Sequence, residues 1–153
     1  MQVLVLTTLL ATLLVACGEP YDEGMKAYEA GRWEEAIVHF QRVSKWNEHQ
    51  QEIKVLIQTA YFKIGQRAFE EKNWQEALDY LRKIKEKDPH FAEARDLIGC
   101  TFYKLGEAAY EKRQLAEAKR LLNVVRTGCS HYDKTNELMQ QINHELEDST
   151  TVK

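Results

Sequence analysis

The chain has few residues that interrupt regular backbone: its 153 residues include only two prolines and seven glycines. This scarcity argues against a disordered or low-complexity chain. Alternating runs of β-branched residues, the usual sign of strands, are missing from the sequence after residue 20. No sheet is therefore expected, and the length is enough for one domain.

Neither sign of charge dominates, with 21 Lys and Arg residues against 24 Asp and Glu residues and a net charge of -3. Proteins that bind nucleic acid usually carry a basic surface, so nucleic acid is not an expected partner. The sequence also lacks a glycine-rich phosphate loop, His-Glu-x-x-His and Cys-x-x-Cys. We therefore expect no enzymatic activity, no catalytic residue and no cofactor.

The most apolar stretch of the sequence is the run from Val3 to Leu14 near the N-terminus. It is too short for a membrane-spanning helix, which needs about 20 residues, and is typical of a secretory signal. The run ends in Leu14-Val15-Ala16-Cys17, which resembles the bacterial lipobox. This resemblance implies cleavage before Cys17, a diacylglycerol thioether on its sulfur and an acyl chain on its amine.

Residues 1–16 are accordingly predicted to be a lipoprotein signal peptide, and residues 17–20 a lipidated N-terminus with a short linker. Several acyl chains together hold a protein stably at a membrane. In the lipoprotein pattern an Asp after the cysteine favours the inner membrane; Gly18 stands there, so the resemblance implies the outer membrane, facing the periplasm. A signal normally starts with Lys or Arg, but only Met1 and Gln2 precede the apolar run, so either the true start lies upstream or the signal is weak. The alternative to a signal peptide is a short N-terminal membrane anchor or a buried helix.

One segment of the chain recurs three times at a spacing of 41 residues. The recurring positions are Gly24/Gly65/Gly106, Ala27/Ala68/Ala109, Tyr28/Phe69/Tyr110, Glu29/Glu70/Glu111 and Ala36/Ala77/Ala118. A fixed period indicates one supersecondary unit used repeatedly. Each unit contains two segments with apolar residues at steps of three and four, which predicts two amphipathic helices per unit.

These periods predict an all-α fold over residues 21–147, made of three helical hairpins and a C-terminal capping helix at Tyr132–Glu147, followed by a tail at 148–153. The second helices of the hairpins are expected at Trp33–Lys45, Trp74–Lys85 and Leu115–Arg126.

Glycines and asparagine mark the contacts and ends of these predicted helices. A mid-helix Gly costs about 1 kcal/mol against Ala, which is tolerable where paired helices approach closely. Asn73 is expected to take the left-handed conformation that ends a first helix, and Gly128 to stop the last second helix.

The pattern Gly-x-x-Ala-Tyr-x-x-Gly-x-Trp-x-x-Ala-Ile-x-x-Phe, which stands here from Gly24 to Phe40, resembles the tetratricopeptide repeat. The usual period of that family is about 34 residues, so the longer period here predicts longer first helices. The resemblance covers about residues 20–147 and implies an α-α solenoid. It further implies a non-catalytic scaffold that binds a protein or peptide segment in a concave groove.

The concave positions of that family map onto the first helix of each unit. They are Tyr21, Met25, Tyr28, Glu29, Phe62, Gln66, Phe69, Glu70, Tyr103, Glu107, Tyr110 and Glu111. Together they would form an aromatic groove edged with carboxylates, suited to a partner with apolar and basic side chains. The alternative is that the aromatic side chains only pack and that the glutamates belong to a solvated helix face.

The resemblances imply a membrane-tethered interaction scaffold in the bacterial cell envelope. Two narrower alternatives remain open: a lipoprotein that assists outer-membrane β-barrel assembly or pilots secretin subunits, and an accessory subunit of a cell-wall enzyme complex. A clamp for a C-terminal carboxylate is not expected, because the family builds it from Lys, Arg and Asn where this sequence has aromatic residues and Glu.

His49, His90 and His131 also recur at 41 residues. Packed helices lie about 10 Å apart, so the three cannot share one metal ion, and no metal site is expected. They are predicted to be helix-start or loop residues, or alternatively a pH-sensitive edge.

Cys100 and Cys129 are the only other cysteines besides Cys17, and an extracytoplasmic location permits a disulfide between them. Cys100 falls on a concave position, which predicts that it points away from its partner helix. The alternative is that no disulfide forms, in which case Cys100 acts as a small apolar residue and Cys129 is a free thiol in a loop.

Overall fold

A computed structural model describes residues 19–127 and 129–151 of the chain. The predicted signal peptide, the lipidation site at Cys17 and the predicted helix stop at Gly128 lie outside these ranges. Within them the regular elements are all helices, so the all-α prediction is confirmed. Over the same ranges, no helix combines the length and the apolar character needed to cross a membrane.

Seven helices follow one another in the described ranges. They are α1 Pro20–Glu29, α2 Trp33–Arg42, α3 Gln50–Glu70, α4 Trp74–Leu81, α5 Phe91–Glu111, α6 Leu115–Leu122 and α7 Tyr132–Thr151. The helices α3 and α5 have 21 residues each, which confirms that the first helices of the later hairpins are long. Helix α7 continues past residue 147 to Thr151, into the segment predicted to be a tail.

The chain divides into two compact units inside α3, between Ala60 and Tyr61. The first unit contains α1, α2 and the first half of α3, and its core is built around Phe40 and Ile53 with the alanines at 27 and 36. The second unit contains the rest of α3 and α4 to α7. One of its core clusters centres on Phe62 and Leu81, and the other on Leu122 and Ile142.

Each hairpin turn contains one residue in the left-handed conformation, at Gly31, Lys72 and Arg113, with φ of 70°, 62° and 60°. The next backbone N–H then bonds to a carbonyl five residues back, as in Asn73 N to Ala68 O at 2.8 Å, the Schellman pattern of helix ends. The prediction for Asn73 was wrong, because its φ is −80°. Lys72, one residue earlier, carries the strained conformation instead.

The mid-helix glycines accommodate side chains from the second helix of the same hairpin. A Cβ on Gly24 would lie 2.6 Å from the Phe40 ring, and one on Gly65 would lie 2.6 Å from Leu81 Cγ. The third copy repeats this at 2.7 Å between Gly106 and Leu122. Residues 40, 81 and 122 are themselves one position of the 41-residue repeat, so the glycines allow the close approach predicted for them.

The second helices are shorter than predicted and end at Arg42, Leu81 and Leu122. The chain leaves the helix before Ile84 and Val125, which are nevertheless only 6% exposed. Their backbone N–H groups bond three residues back, to Leu81 and Leu122. A tight turn therefore places these side chains in the core, and the apolar spacing at 84 and 125 does not reflect a continuing helix.

Candidate interaction surface and thiol cluster

The first row of predicted groove aromatics is covered by the recurring histidines. In the first unit, the rings of Tyr21 and His49 stack with centroids 4.1 Å apart and planes 14° from parallel. In the second unit, the ring of His131 packs against Tyr103 at 5.0 Å and 40°, and His90 likewise stacks on Phe62. One face of each aromatic ring in this row is therefore occupied by the chain itself.

The second aromatic row packs beside the hairpin turns. The ring of Tyr28 meets Trp33 edge-on at 5.0 Å, and Phe69 meets Trp74 in the same manner at 5.5 Å. These four side chains are half-buried, so each pair leaves part of its surface open to a partner while contributing to the hairpin.

In the third copy, Leu115 stands in place of the tryptophan, and Tyr110 makes a polar contact with the capping helix. The hydroxyl of Tyr110 donates a hydrogen bond to Glu145 on α7, and Arg113 forms an ion pair with the same carboxylate at 2.6 Å. Hydrogen bonding to Glu145 raises the pKa of Tyr110. Tyr110 thus links α5 to α7.

The predicted glutamate row lies on the surface. Glu29, Glu70 and Glu111 are all exposed, each at the C-terminal end of a first helix. The intervening Met25 and Gln66 are half-buried. A carboxylate at the negative end of the helix dipole does not stabilise the helix, so these glutamates are better placed to meet a cation than to support the fold.

Two groove residues of the second unit, Tyr103 and Glu107, line a cavity of about 400 Å³ beside α7. The remaining lining comes from Lys134, Glu137, Leu138 and Gln141. Sequence analysis did not include these α7 residues in the site. The available signal was that α7 occupies the place of the first helix of a fourth unit.

The electrostatics of this cavity centre on Glu107. Its carboxylate accepts hydrogen bonds from Lys104 Nζ at 2.8 Å and from the Tyr103 hydroxyl at 3.1 Å. The bond from Lys104 is the main cause that lowers the pKa of Glu107, against the effect of burial. Burial, together with the bond to Glu107, raises the pKa of Tyr103. At neutral pH the cavity therefore presents an ionised carboxylate beside a neutral phenol.

The two cysteines lie close together in the second unit. One ligand atom each from Asp96, Cys100 and Cys129 lies within 4.8 Å of the others, although the thiols are not bonded to each other. Cys100 is buried, and its sulfur faces the segment that follows α6. Its direction away from the partner helix stays a prediction. The disulfide itself stays a prediction.

Asp96 anchors that segment to α5, and neither it nor Ser130 was identified from the sequence. Its carboxylate accepts hydrogen bonds from the backbone N–H of Ser130 at 2.7 Å and from the Ser130 hydroxyl at 3.0 Å. Burial opposes the charged form, but the bonds from Ser130 outweigh it and hold the pKa of Asp96 below its usual range. The only feature of the sequence that could have indicated Asp96 is the change from the apolar Val55, one repeat earlier, to a charged residue.

Comparison with known proteins agrees with this geometry. Residues 59–90 and 101–127 match the family model described as Tetratricopeptide repeat. No curated protein and no solved structure matches the chain significantly. Repeats of this family are protein–protein interaction modules and are typically non-catalytic. Together with the helical hairpins, these two matched segments identify tetratricopeptide repeats in residues 59–90 and 101–127 of this chain.

Proposed function

We propose that this chain is a membrane-tethered scaffold that binds a basic, partly apolar protein segment at its acidic first-helix surface. We define this surface as Glu70, Glu111 and the cavity beside Glu107, all in the second unit. Glu29 holds the equivalent repeat position in the first unit. The observation that carries the proposal is the exposed glutamate at the same place in all three repeats. These side chains are exposed and not part of the core, and each directly follows a half-buried aromatic residue in the sequence.

The chemistry of the surface supports a basic, partly apolar partner. An exposed carboxylate beside a Tyr or Phe ring attracts Lys or Arg by charge and by cation–π contact. In the second unit, the cavity adds the carboxylates of Glu107 and Glu137, with Leu138 as an apolar contact. A partner segment that alternates apolar and basic side chains would match both the carboxylates and the apolar contacts of this surface.

Cys17 provides the proposed attachment of this scaffold to a membrane. Its position at the end of an apolar run supports lipidation, and the first described helix begins at Pro20, only a short linker after it. The lipid would hold the repeats at the outer membrane, facing the periplasm, where a tethered domain meets its partner at high effective concentration.

Charge reversal tests the surface without disturbing the core. The variant carries Glu29→Lys, Glu70→Lys and Glu111→Lys. Its matched control carries Glu76→Lys, Glu86→Lys and Glu93→Lys, which are also exposed and change the net charge equally. The structure argues against alanine at Tyr28, Phe69 and Tyr110, because those rings also pack in the hairpins.

Fluorescence anisotropy is measured with three probes, short peptides that alternate leucine with lysine, glutamate or serine. The wild type and the control should prefer the lysine peptide, and the variant should lose that preference by about tenfold or more, since each close charge pair contributes on the order of 1 kcal/mol. Equal binding of the lysine peptide by variant and control would refute the proposed surface.

The tether is tested separately by replacing the lipidation site. A Cys17→Ser chain expressed in a bacterial host should move from the membrane fraction to the soluble fraction, and the wild type should incorporate labelled palmitate. Continued membrane association of the serine variant, or no incorporation by the wild type, would refute lipidation and leave the acidic surface untouched.

A further inference from the structure

The third repeat also departs from the second at the contact between α5 and the segment after α6. Cys129 stands where the previous repeats have Asn47 and Asp88, and Cys100 where the second repeat has Thr59. Asp96 replaces Val55, and Gly99 replaces Gln58. These four changes converge in space, since Asp96, Cys100 and Cys129 contribute ligand atoms to one cluster.

Packing alone does not require a thiol at position 129. In the first two repeats an Asn or Asp oxygen accepts a hydrogen bond from the backbone N–H two residues later, at 2.8 Å in both His49 and His90. Sulfur is a weaker acceptor than oxygen, so Cys129 gives up part of this stabilisation. Gly99 makes room for it, because a Cβ there would lie 2.5 Å from Cys129 Sγ.

The recurring histidine completes the set of donors. His131 Nδ1 lies 3.1 Å from Cys100 Sγ, and its ring rests against Tyr103. The two thiols and the carboxylate form one cluster, and the imidazole adjoins it through Cys100. We propose that Asp96, Cys100 and Cys129, with His131 as the fourth donor, bind a divalent cation of the zinc class.

The donor types and distances fit this class of metal. Zn²⁺ prefers sulfur and imidazole ligands at about 2.3 and 2.0 Å, which places two coordinated sulfurs about 3.8 Å apart. The ligand atoms of Asp96, Cys100 and Cys129 all lie within 4.8 Å of one another, and the two thiols are not joined as a disulfide. On binding, each thiol releases its proton to solvent and His131 coordinates as neutral imidazole, so no oxidant or reductant is required.

This site shares no residue with the proposed partner surface, although the His131 ring rests against Tyr103, which lines the cavity of that surface. It lies where α5 meets the segment leading into α7, and a bound cation would link these elements. It would therefore stabilise the third hairpin in the way that structural zinc sites stabilise small domains.

The test uses the full chain with Cys17→Ser, so that Cys100 and Cys129 are the only thiols. The probes are Co²⁺ alone, followed by absorption, and Zn²⁺ alone, followed by competition with a chromophoric chelator. We expect one equivalent of metal and a thiolate-to-cobalt charge-transfer band. Absence of that band, or two thiols that are already oxidised in the purified chain as a disulfide, would overturn the proposal.

Variants that borrow residues from the second repeat keep the fold while removing ligands. Cys129→Asp and Cys100→Thr introduce the residues that stand there one repeat earlier, and both should abolish the charge-transfer band while circular dichroism stays helical. His131→Gln should weaken Zn²⁺ binding by about 100-fold, since losing even an orienting group costs roughly 10–100-fold. Its matched control, His90→Gln, should bind as the parent does. Equal Zn²⁺ affinity in the two histidine variants would overturn the proposed ligand set.

Discussion

The imidazole ring of His90 lies flat on the phenyl ring of Phe62, with centroids 4.4 Å apart and planes 6° from parallel. Phe62 is almost fully buried, and His90 precedes the first residue of α5. The contact therefore joins the start of one first helix to the middle of the preceding first helix within the second unit. The same pair of positions is occupied by Tyr21 and His49 in the first unit.

This relationship gives the recurring histidines a structural role in the repeat. The pair should show a coupling of about 0.5–1.5 kcal/mol, the range for stacked rings beyond their burial. It is measured by urea unfolding of His90→Ala, Phe62→Leu and the double variant. If the losses of unfolding free energy in the two single variants add up to the loss in the double variant, the stacking contributes nothing beyond the separate burial of each ring.

Lys72 should be replaceable by glycine with a gain in stability. Its φ of 62° costs a side chain about 1–2 kcal/mol, and Gly31 already occupies the equivalent position in the first repeat. Lys72→Gly should therefore raise the free energy of unfolding by about 1 kcal/mol.

The neighbouring Glu71→Gly is the control for that change. Glu71 is not among the positive-φ residues of the described chain. Glycine there adds freedom to the unfolded state and removes the exposed hydrogen bond from Asn73 Nδ2 at 3.3 Å, so it should lower stability. Loss of stability in both variants would mean that the left-handed conformation of Lys72 carries no cost.

Gly65→Ala should destabilise the second unit although alanine favours helices. The gain in helix propensity is about 1 kcal/mol, whereas the new Cβ would lie 2.6 Å from Leu81 Cγ and 3.3 Å from the Leu81 backbone nitrogen. Overpacking of this kind costs about 1–3 kcal/mol, so a net loss is expected in thermal or urea unfolding.

The same substitution in a Leu81→Ala background separates the two effects. Leu81→Ala alone should cost about 2–5 kcal/mol, but it removes the side chain that a new Cβ at position 65 would meet. In that background Gly65→Ala should cost less than in the wild type or become stabilising. An unchanged cost would show that contact with the Leu81 side chain is not the reason for glycine.

The 41-residue period was sufficient to predict the helical hairpins and the close approach at the glycines, because both depend on which positions recur. It did not predict the contacts of His49, His90 and His131, since a period does not show which face of an aromatic ring a connecting segment will cover. The ends of the second helices were also misplaced. Ile84 and Val125 keep a helical spacing in the sequence but reach the core from a turn.

The candidate sites were predicted less completely than the fold. The row of glutamates at 29, 70 and 111 could be predicted from the repeat, because recurring charged residues can be recognised without knowing which residues contact each other. The cavity beside Glu107 and the thiol cluster did not, since each combines residues from segments that are distant in the sequence. In particular, the 41-residue period did not show that Cys100 would face the segment after α6, because the position of that segment depends on the short α6.

Glu107 should contribute a measurable part of the acid sensitivity of the second unit. Its hydrogen bond from Lys104 holds its pKa below the ordinary value of 4.5. A carboxyl group whose pKa is lower in the folded state stabilises the fold above its unfolded pKa, and that contribution is lost as the pH falls through the folded value. Glu107→Gln should therefore reduce the loss of unfolding free energy between neutral pH and about pH 3.

The measurement is urea unfolding at a series of pH values for the wild type, Glu107→Gln and Glu111→Gln. Glu111 is exposed one turn further along α5, which makes it a matched control for removing one carboxylate from the same helix. The wild type and the control should lose similar stability on acidification, and Glu107→Gln should lose less. If all three chains follow the same pH dependence, the contact between Lys104 and Glu107 does not persist in solution, because a surface pair that is fully screened by water contributes nothing measurable.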